Sequence, residues 1–469
     1  MTTSSTLVVG VDSSTQSTKI AIRDLETGAV AATASASHPA ATGPCSEQDP
    51  MAWARAFDDA WNTAVGNLRR GDHVAAISVA GQQHGMVALD REGVPVHPAK
   101  LWNDTESSAD ADWLIDQLGS AAAWAEAVGS VPVAAFTITK LSWLHRTHPQ
   151  AWSRLATVLL PHDYLTHRLT GRLTTDRGDA SGTGYWSPST GSYRWDLLGL
   201  VDEARDWSDV VPEVLAPMQS AGSWRDAVVG PGTGDNMAAA LGVGLRAGDA
   251  VMSFGTSGTV FAVAEQPAAD PDGAVAGFAD ATGRFLPLVC TSNATLVLDA
   301  VRRLLGVDHA EFDRLALDAT PGGPVLLPYF GGERTPNRPD ATGVLAGLRP
   351  DVSREQFARA AVDGVVCGLL DGLDALRSHA DVTGRLVLVG GGARSLAVQR
   401  VVAGLCDLEV VVGRVDEAVA VGAAVQAASV LEQVDPTEIQ RRWGLGESVA
   451  VDGVDGGDIR ARYRELRDA

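Results

Sequence analysis

The chain has 469 residues, which is enough for two or three domains with sizeable cores. Its composition, 45% hydrophobic and 20% charged, is typical of a globular protein. The formal net charge of −21 argues against nucleic acid or an anionic membrane as a partner, because either would need a basic surface.

Targeting signals and cysteine spacing favour a cytoplasmic protein. The N-terminus lacks the basic segment and apolar run of a signal peptide, and no apolar run approaches the ~18 residues of a membrane span. The cysteines are Cys45, Cys290, Cys367 and Cys406, and none forms a CxxC pair. This spacing favours reduced thiols over a disulfide framework or a zinc site.

Residues 7–22 are predicted to form a strand, a polar turn and a second strand. An apolar run leads to Asp12, and the turn after it consists of hydroxyl and amide side chains with one ammonium, that of Lys19. Such a turn offers N–H groups, hydroxyls and a cation to a cluster of anionic oxygens, and Asp12 adds a hard ligand for phosphate-bound magnesium. The alternative is a plain turn, since most turns rich in Ser and Thr have no further role.

A similar stretch occurs 243 residues later. Residues 250–264 again read as strand, Gly/Ser/Thr turn and strand. Two such turns, each opening one half of the chain, predict duplicated domains that hold one phosphate chain from both sides. A P-loop is excluded, because lysine occurs only at positions 19, 100 and 140 and none of the three follows a glycine.

Two segments between these turns carry candidate sugar contacts. Gln83 and His84 lie in a turn between glycines, where neutral donors and acceptors suit a polyol; an ordinary surface loop is an equal alternative. Trp102 and Asn103 offer an aromatic floor with a polar handle. They precede a predicted helix over 105–118, for which Asp104 or Thr105 is a candidate N-cap.

A glycine-rich turn at 230–234 brings Asp235 to the start of a predicted helix at 237–245. The positive end of the helix dipole is expected to keep this carboxylate ionised, as a general base or metal ligand requires. An N-cap is the alternative, but the surrounding glycines leave room for a substrate. Segments 161–165 and 177–184 are expected to have mostly structural roles, and Arg334 either reaches a phosphate or braces its loop.

Eight short motifs occur in the order found in the FGGY family of carbohydrate kinases, which the chain resembles from about residue 7 to residue 430. They are DxxTxSxK at 12–19, GQxHG ending at 85, WND at 102–104, DY at 163–164, GDN at 234–236, GTSG at 255–258, GERTP at 332–336 and GGGARS at 390–395. There are departures: Ser14 stands where many relatives have glycine, and Gln83 where some have Met. The segment before Gly230 is also shorter than usual.

The resemblance implies an α/β fold of two actin-like, ribonuclease H-like ATPase domains with a cleft between them. We expect an N-terminal domain at 1–241, with the sugar site and first phosphate loop, and a nucleotide-binding domain at 250–430. Residues 431–469 are expected to form a tail with one short helix at 459–467.

The resemblance also implies residue roles. Asp235 matches the catalytic base and Asn236 its substrate-contacting neighbour, while Gln83, His84, Trp102 and Asn103 match the sugar side. Asp12 matches the aspartate that supports Mg²⁺. The matches to nucleotide-binding positions are Thr15, Ser17, Thr18 and Lys19 in the first phosphate loop, Gly255 and Thr256 in the second, and Gly391, Gly392 and Ala393 in the adenosine-side turn.

The implied activity is ATP-dependent phosphorylation of a sugar, and the motifs are most similar to those of members that act on D-xylulose. The alternatives are another ketose or polyol, such as ribulose or glycerol, and an actin-like ATPase that is no kinase. An actin-like ATPase that is no kinase would need neither an aromatic surface for a sugar nor a catalytic base. A dinucleotide oxidoreductase is a further option, but Ser395 replaces the third glycine of its fingerprint. The expected partners are sugar and ATP, and a homodimer is one option for the assembly.

Overall fold

The computed structural model describes residues 5–41 and 43–469. The strands of the first half are β1 (Thr6–Ser13), β2 (Ser17–Asp24), β3 (Val30–Ser37), β4 (Glu47–Gln48), β5 (His73–Gly81), β6 (Val87–Leu89), β7 (Ala99–Lys100), β8 (Thr157–Leu159), β9 (Thr174–Asp176), β10 (Trp186–Ser187), β11 (Ser192–Tyr193), β12 (Glu213–Leu215), β13 (Gly222–Trp224), β14 (Ala227–Val229) and β15 (Thr233–Gly234). Its helices are α1 (Pro50–Gly66), α2 (Ser108–Leu118), α3 (Ala121–Val128), α4 (Thr137–Thr147), α5 (Pro149–Arg154), α6 (Pro161–Thr170), α7 (Arg177–Ala180), α8 (Trp195–Val201) and α9 (Asp235–Gly242), with a 3₁₀ turn at Trp207–Asp209.

The second half has the same kinds of element. Its strands are β16 (Ala250–Phe254), β17 (Gly258–Ala262), β18 (Ala276–Ala279), β19 (Phe285–Thr291), β20 (Val325–Leu327), β21 (Val344–Ala346), β22 (Leu386–Val389), β23 (Val410–Gly413) and β24 (Ser448–Ala450). Its helices are α10 (Thr295–Leu305), α11 (His309–Asp318), α12 (Arg354–Arg377), α13 (Leu396–Leu405), α14 (Ala418–Glu432), α15 (Pro436–Arg442) and α16 (Ile459–Asp468), with a 3₁₀ turn at Gly391–Arg394.

Each half is built on a seven-stranded sheet. The first has the order β13-β14-β5-β1-β2-β3, with β15 beside β5, and the second has the order β18-β19-β17-β16-β22-β23-β24. In both, an antiparallel hairpin, β1–β2 or β16–β17, is extended by a strand parallel to its first member, β5 or β22. The two predicted hairpins are therefore present, and the two halves share this sheet arrangement. β1 is buried along nearly its whole length, as expected for a strand with both faces covered.

Helices α9 and α14 join the two halves. Cβ atoms added at Gly242 and Gly422 would lie 1.9 Å from Ala418 O and 1.8 Å from Ala238 O, and one added at Gly10 of β1 would lie 1.8 Å from Ala420 O. We call Gly10, Gly242 and Gly422 the glycine contact. At these distances only glycine fits, so the backbones of the two halves touch directly.

The C-terminal segment differs from the expected tail. Besides α16, residues 431–469 contain helix α15 and strand β24, which pairs with β23 at the edge of the second sheet. The segment has few apolar residues, so sequence pattern alone does not reveal elements that complete an existing sheet and helix layer. The four cysteines are free. Across residues 5–41 and 43–469, no helix has the length and apolar character needed to cross a membrane.

Candidate active site

Asp235 is the first residue of α9, directly after β15, which lies beside the end of β5. Its Oδ1 accepts hydrogen bonds from the backbone N and the Nδ2 of Asn236, at 2.8 and 3.1 Å. Burial raises the pKa of Asp235 to about 6, although hydrogen bonds from the backbone N–H groups of Asn236 and of Asp235 itself oppose the shift. The expected downward effect of the helix N-terminus is thus outweighed by burial. The result is a carboxylate that is ionised at neutral pH yet basic enough to accept a proton.

The turn after β5 is joined by one hydrogen bond to Asn236, the neighbour of Asp235. Asn236 Nδ2 donates to Gln83 Oε1 at 2.7 Å. His84 follows in the left-handed region, with φ 66°, and its Nδ1 lies 2.9 Å from Gly182 O. Because a carbonyl only accepts, Nδ1 carries the proton and Nε2 is an acceptor. Burial, and then the charge of Lys140, lower the pKa of His84 to about 3, so the ring is neutral and its Nε2 can accept a hydrogen bond from a hydroxyl.

Thr15, predicted to lie at the phosphates, bonds to the sugar-side candidate Trp102 and to Gln82, the neighbour of another such candidate. Its Oγ1 donates to Gln82 Oε1 at 3.0 Å and accepts from Trp102 Nε1 at 3.1 Å. Asn103 is held by Ser46 Oγ, which donates to its Oδ1 at 2.8 Å. The first hairpin turn and the WND segment therefore form one connected surface.

Asp104 has a structural partner rather than an N-cap role. It lies in a group with Glu47 and Glu106, and each of these carboxylates is 2.7–3.0 Å from the ammonium of Lys100, which has no exposed surface. With Cys45 these acidic groups have the spacing of a cation site, but the Lys100 ammonium already supplies the cation. Helix α2 begins at Ser108 and not at the predicted 105, in keeping with this use of Asp104.

Asp12 is the last residue but one of β1 and lies opposite Lys19 of β2. It is 5% exposed, and its Oδ1 has no hydrogen-bond partner. Burial raises the pKa of Asp12 to about 7; Lys19 opposes the shift, and the charges of Asp235 and Glu417 add to it. A buried oxygen without a partner is costly, and a hard cation would satisfy it. These observations fit a role for Asp12 in binding Mg²⁺, either directly or through a water molecule bound to the ion.

The remaining candidates of the first phosphate loop lie in strand β2, so their side chains alternate between faces. Thr18 is fully buried, and its hydroxyl contacts His38 Nε2 at 2.8 Å and Ser13 Oγ at 3.3 Å. Ser17 and Lys19 are on the other face and partly exposed, with Lys19 paired to Glu417 of the second half. The structure favours a role for Thr18 in supporting the hairpin. The alternation of side chains along a strand would have indicated this, because it places Thr18 on the opposite face from Ser17 and Lys19.

The second-half candidates lie next to each other. Gly255 and Thr256 are exposed between β16 and β17, and their carbonyls accept hydrogen bonds from Thr295 N and Ala294 N at the start of α10. Gly391, Gly392 and Ala393 form the 3₁₀ turn after β22. That turn lies against the end of β16, because a Cβ on Gly392 would be 2.8 Å from Phe254 Cβ.

The loop that carries Arg334 is fixed by Glu333. This buried carboxylate accepts from Ser292 N at 2.5 Å and from Asn293 Nδ2 at 2.9 Å. Arg334 is exposed, and its Nη2 is 3.4 Å from Thr291 O, a long contact. The guanidinium is therefore only loosely held, and both alternatives for Arg334 remain predictions. Glu333 had no expected role, since a single carboxylate in a loop gives no sequence signal.

Comparison with known proteins agrees with this architecture. Residues 7–242 match the FGGY family of carbohydrate kinases, N-terminal domain, and residues 250–431 match the C-terminal domain of the same family. The chain belongs to the FGGY family of carbohydrate kinases. It is 47% identical over 466 residues to the xylulose kinase of Streptomyces rubiginosus, covering 96% of this chain and 93% of that protein. It is 48% identical over 460 residues to that of Streptomyces coelicolor, with the same coverage.

Solved structures of FGGY kinases share the fold. The crystal structure of xylulose kinase from Bifidobacterium adolescentis is 38% identical and superposes with a TM-score of 0.86 over 99% of both chains. Glycerol kinase from Plasmodium falciparum, at 18% identity and a TM-score of 0.88 over 99% of this chain and 97% of that one, supports the fold alone. The predicted fold class and family are confirmed. As a carbohydrate kinase, the enzyme transfers a phosphoryl group from ATP.

Proposed function

We propose that this kinase phosphorylates D-xylulose to D-xylulose 5-phosphate. Support comes from the names of its relatives and from one feature of the site. The feature is the hydrogen-bonded chain from the carboxylate of Asp235 through Asn236 to Gln83, beside the neutral ring of His84. It puts a base and neutral polar groups side by side, as a hydroxyl-rich substrate requires.

In the proposed reaction, Asp235 accepts the proton of the terminal hydroxyl of the sugar. That oxygen then forms a bond to the γ-phosphorus of ATP, the bond to the β-phosphate oxygen breaks, and ADP leaves. His84 Nε2 accepts a hydrogen bond from a substrate hydroxyl, and Trp102 provides an apolar floor beside Thr15. The turn at Gly255 and Thr256 offers N–H groups to the transferred phosphate, with the turn at 391–393 on the adenosine side.

Magnesium is the proposed metal, and Asp12 is the residue that would hold it. Bound there, the ion would neutralise negative charge on the β- and γ-phosphates. Lys19, which is paired with Glu417, places an ammonium opposite Asp12 in the hairpin. The cytoplasm, favoured by the cysteine spacing, is the proposed site of action.

A coupled assay of ADP release over a panel of sugars tests the substrate. D-xylulose should have the highest kcat/KM among D-xylulose, D-ribulose, L-ribulose, glycerol and D-gluconate. His84→Ala should raise the KM for D-xylulose without changing the KM for ATP. A higher kcat/KM for ribulose or glycerol would assign the enzyme to another substrate within the family.

A further inference from the structure

A buried charged cluster lies behind the proposed base and sugar turn. His162, the second residue of α6, has no exposed side-chain surface, and its Nε2 is surrounded by three carboxylates. The distances are 3.2 Å to Asp163 Oδ1, 3.3 Å to Asp176 Oδ1 and 3.5 Å to Asp179 Oδ2. One imidazole with three carboxylates out of water is costly unless the ring is charged.

The cluster packs against both segments that lead to the site, the end of β5 and the residues just before β15. A Cβ on Gly81, at the end of β5, would be 3.0 Å from His162 Cβ, and one on Gly232 would be 2.4 Å from His162 Nδ1. Gly81 immediately precedes the turn with Gln83 and His84, and Gly232 is three residues before Asp235. The imidazole thus occupies the space between these two segments.

One connection runs from the cluster through Asp176 to Thr233, in the backbone segment that leads to the proposed base. Asp176 Oδ2 accepts from Thr233 Oγ1 at 2.9 Å, and Thr233 is two residues before Asp235. The same carboxylate accepts from Gly178 N and Asp179 N, so it also fixes the start of α7. The position of Thr233 therefore depends on the position of Asp176, which His162 contacts.

A second path runs to the sugar turn. Helix α7 carries Asp179 and leads into Gly182, whose carbonyl accepts the proton of His84 Nδ1. Ser181 between them accepts a hydrogen bond from Ala279 N of the second half at 2.9 Å. A shift of α7 would therefore move the carbonyl that orients the His84 ring.

The charge state agrees with the geometry. Burial alone would lower the pKa of His162, but the three carboxylates outweigh it and raise the pKa to about 9. Burial raises the pKa of Asp179 well above its usual range, which favours its neutral form. A charged imidazole can then hold the remaining carboxylates together.

We propose that His162, as an imidazolium ion, is a positioning residue that sets the geometry of Asp235 through Asp176 and Thr233 and that of His84 through α7 and Gly182. The proposal rests on the proposed roles of Asp235 and His84. Displacement of reacting groups by about 1 Å can cost about 10²-fold in rate, so His162→Asn should lower kcat by about 10²-fold and raise the sugar KM. Calorimetric affinity for ATP should stay unchanged.

The test is a double-mutant cycle with Thr233. Thr233→Val removes the hydroxyl that bonds Asp176 and should lower kcat about tenfold, the size of one lost hydrogen bond, while Thr233→Ser keeps the hydroxyl and should restore kcat. If the two residues act through one path, the double variant should be no slower than His162→Asn alone. His167→Asn, on the same helix but in contact with Arg172 O, is the matched control.

The outcomes are distinct. Multiplicative losses in the double variant, or wild-type kcat in Thr233→Val, would overturn the proposal, and so would a His162→Asn enzyme whose loss is confined to melting temperature. If His162→Asn does not fold, the comparison of Thr233→Val with Thr233→Ser tests the proposal by itself. All variants are assayed with the panel sugar that the wild type turns over fastest, so a failure on D-xylulose affects the proposed substrate and leaves this comparison intact.

Discussion

The two hairpins share a topology but differ in how their turns are held. In the first hairpin, the turn residue Thr15 is bonded to Gln82 and Trp102, and Thr18 of β2 is buried against His38. In the second, Gly255 and Thr256 are exposed, and only their carbonyls are bonded, to the start of α10. The first turn is thus bonded to Gln82 and to Trp102, a candidate sugar contact, whereas the second turn is exposed.

This difference implies that the two halves have different roles in substrate binding. A turn whose side chains are already bonded within its own half can position a substrate but has few groups left for a phosphate. An exposed turn of glycine and threonine retains its N–H groups for an anion. The first half should therefore determine sugar binding and chemistry, and the second half should determine nucleotide affinity.

Among the tests of these different roles, the largest effect is expected for Asp235→Asn. Removal of the proposed general base should lower kcat by about 10²–10⁴-fold, while calorimetric affinity for ATP and the melting temperature stay nearly unchanged. Asp226→Asn, at an exposed position in the same half, is the control. Near-normal turnover in Asp235→Asn would remove this residue from the catalytic role.

Asp12→Asn should have the next largest effect. Loss of a group that holds the metal or its water typically costs about 10–100-fold in metal affinity or activity. A magnesium titration of kcat should therefore shift to higher concentrations in this variant but not in Asp235→Asn. An identical magnesium dependence in the Asp12 variant and the wild type would contradict the assignment of Asp12.

The pH dependence of kcat should follow Asp235. The base acts in its ionised form, and burial raises its pKa to about 6, so kcat should fall as the pH decreases through about 6, approaching tenfold per pH unit below it. The profile is measured with saturating magnesium and both substrates. An acid limb that persists unchanged in the residual activity of Asp235→Asn would assign it to another group.

The smallest and sharpest test compares the same substitution in both turns. Thr256→Val should raise the KM for ATP by about five- to tenfold and leave the sugar KM unchanged, because an exposed donor is lost. Thr15→Val should do the reverse, because it loses the bond to Trp102 Nε1. A raised KM for ATP in Thr15→Val would instead support the phosphate-loop role that the family resemblance implies for Thr15.

The sequence predicts the parts of this molecule that depend on neighbouring residues. Both hairpins, Asp12 at a strand end and Asp235 at a helix start follow from patterns within about 15 residues. The helix predicted from residue 105 begins later, because Asp104 bonds to the ammonium of Lys100 and to Ser46 N. Local patterns do not contain that ion pair.

Contacts between distant segments account for what sequence reasoning missed. Lys19 pairs with Glu417, almost 400 positions away, and Asp176 bonds to Thr233. The segment with His162 was expected to be structural, since a buried histidine and aspartate next to a helix start look alike whether or not they support a site. Only the fold brings their partners together.

The glycine contact has a consequence for cutting and recombining this chain. Although α14 lies near the C-terminus, it packs on β1, β5 and α9 of the first half, and Gln426 on it donates to Gly232 O. Two fragments separated near residue 249 would each lack a neighbouring surface, and a chimera that takes its second half from a distant relative would import a foreign α14 against Gly10 and Gly242. In hybrid enzymes, the exchangeable unit is therefore not a half of the chain, and segment 418–442 should be inherited together with the first 242 residues.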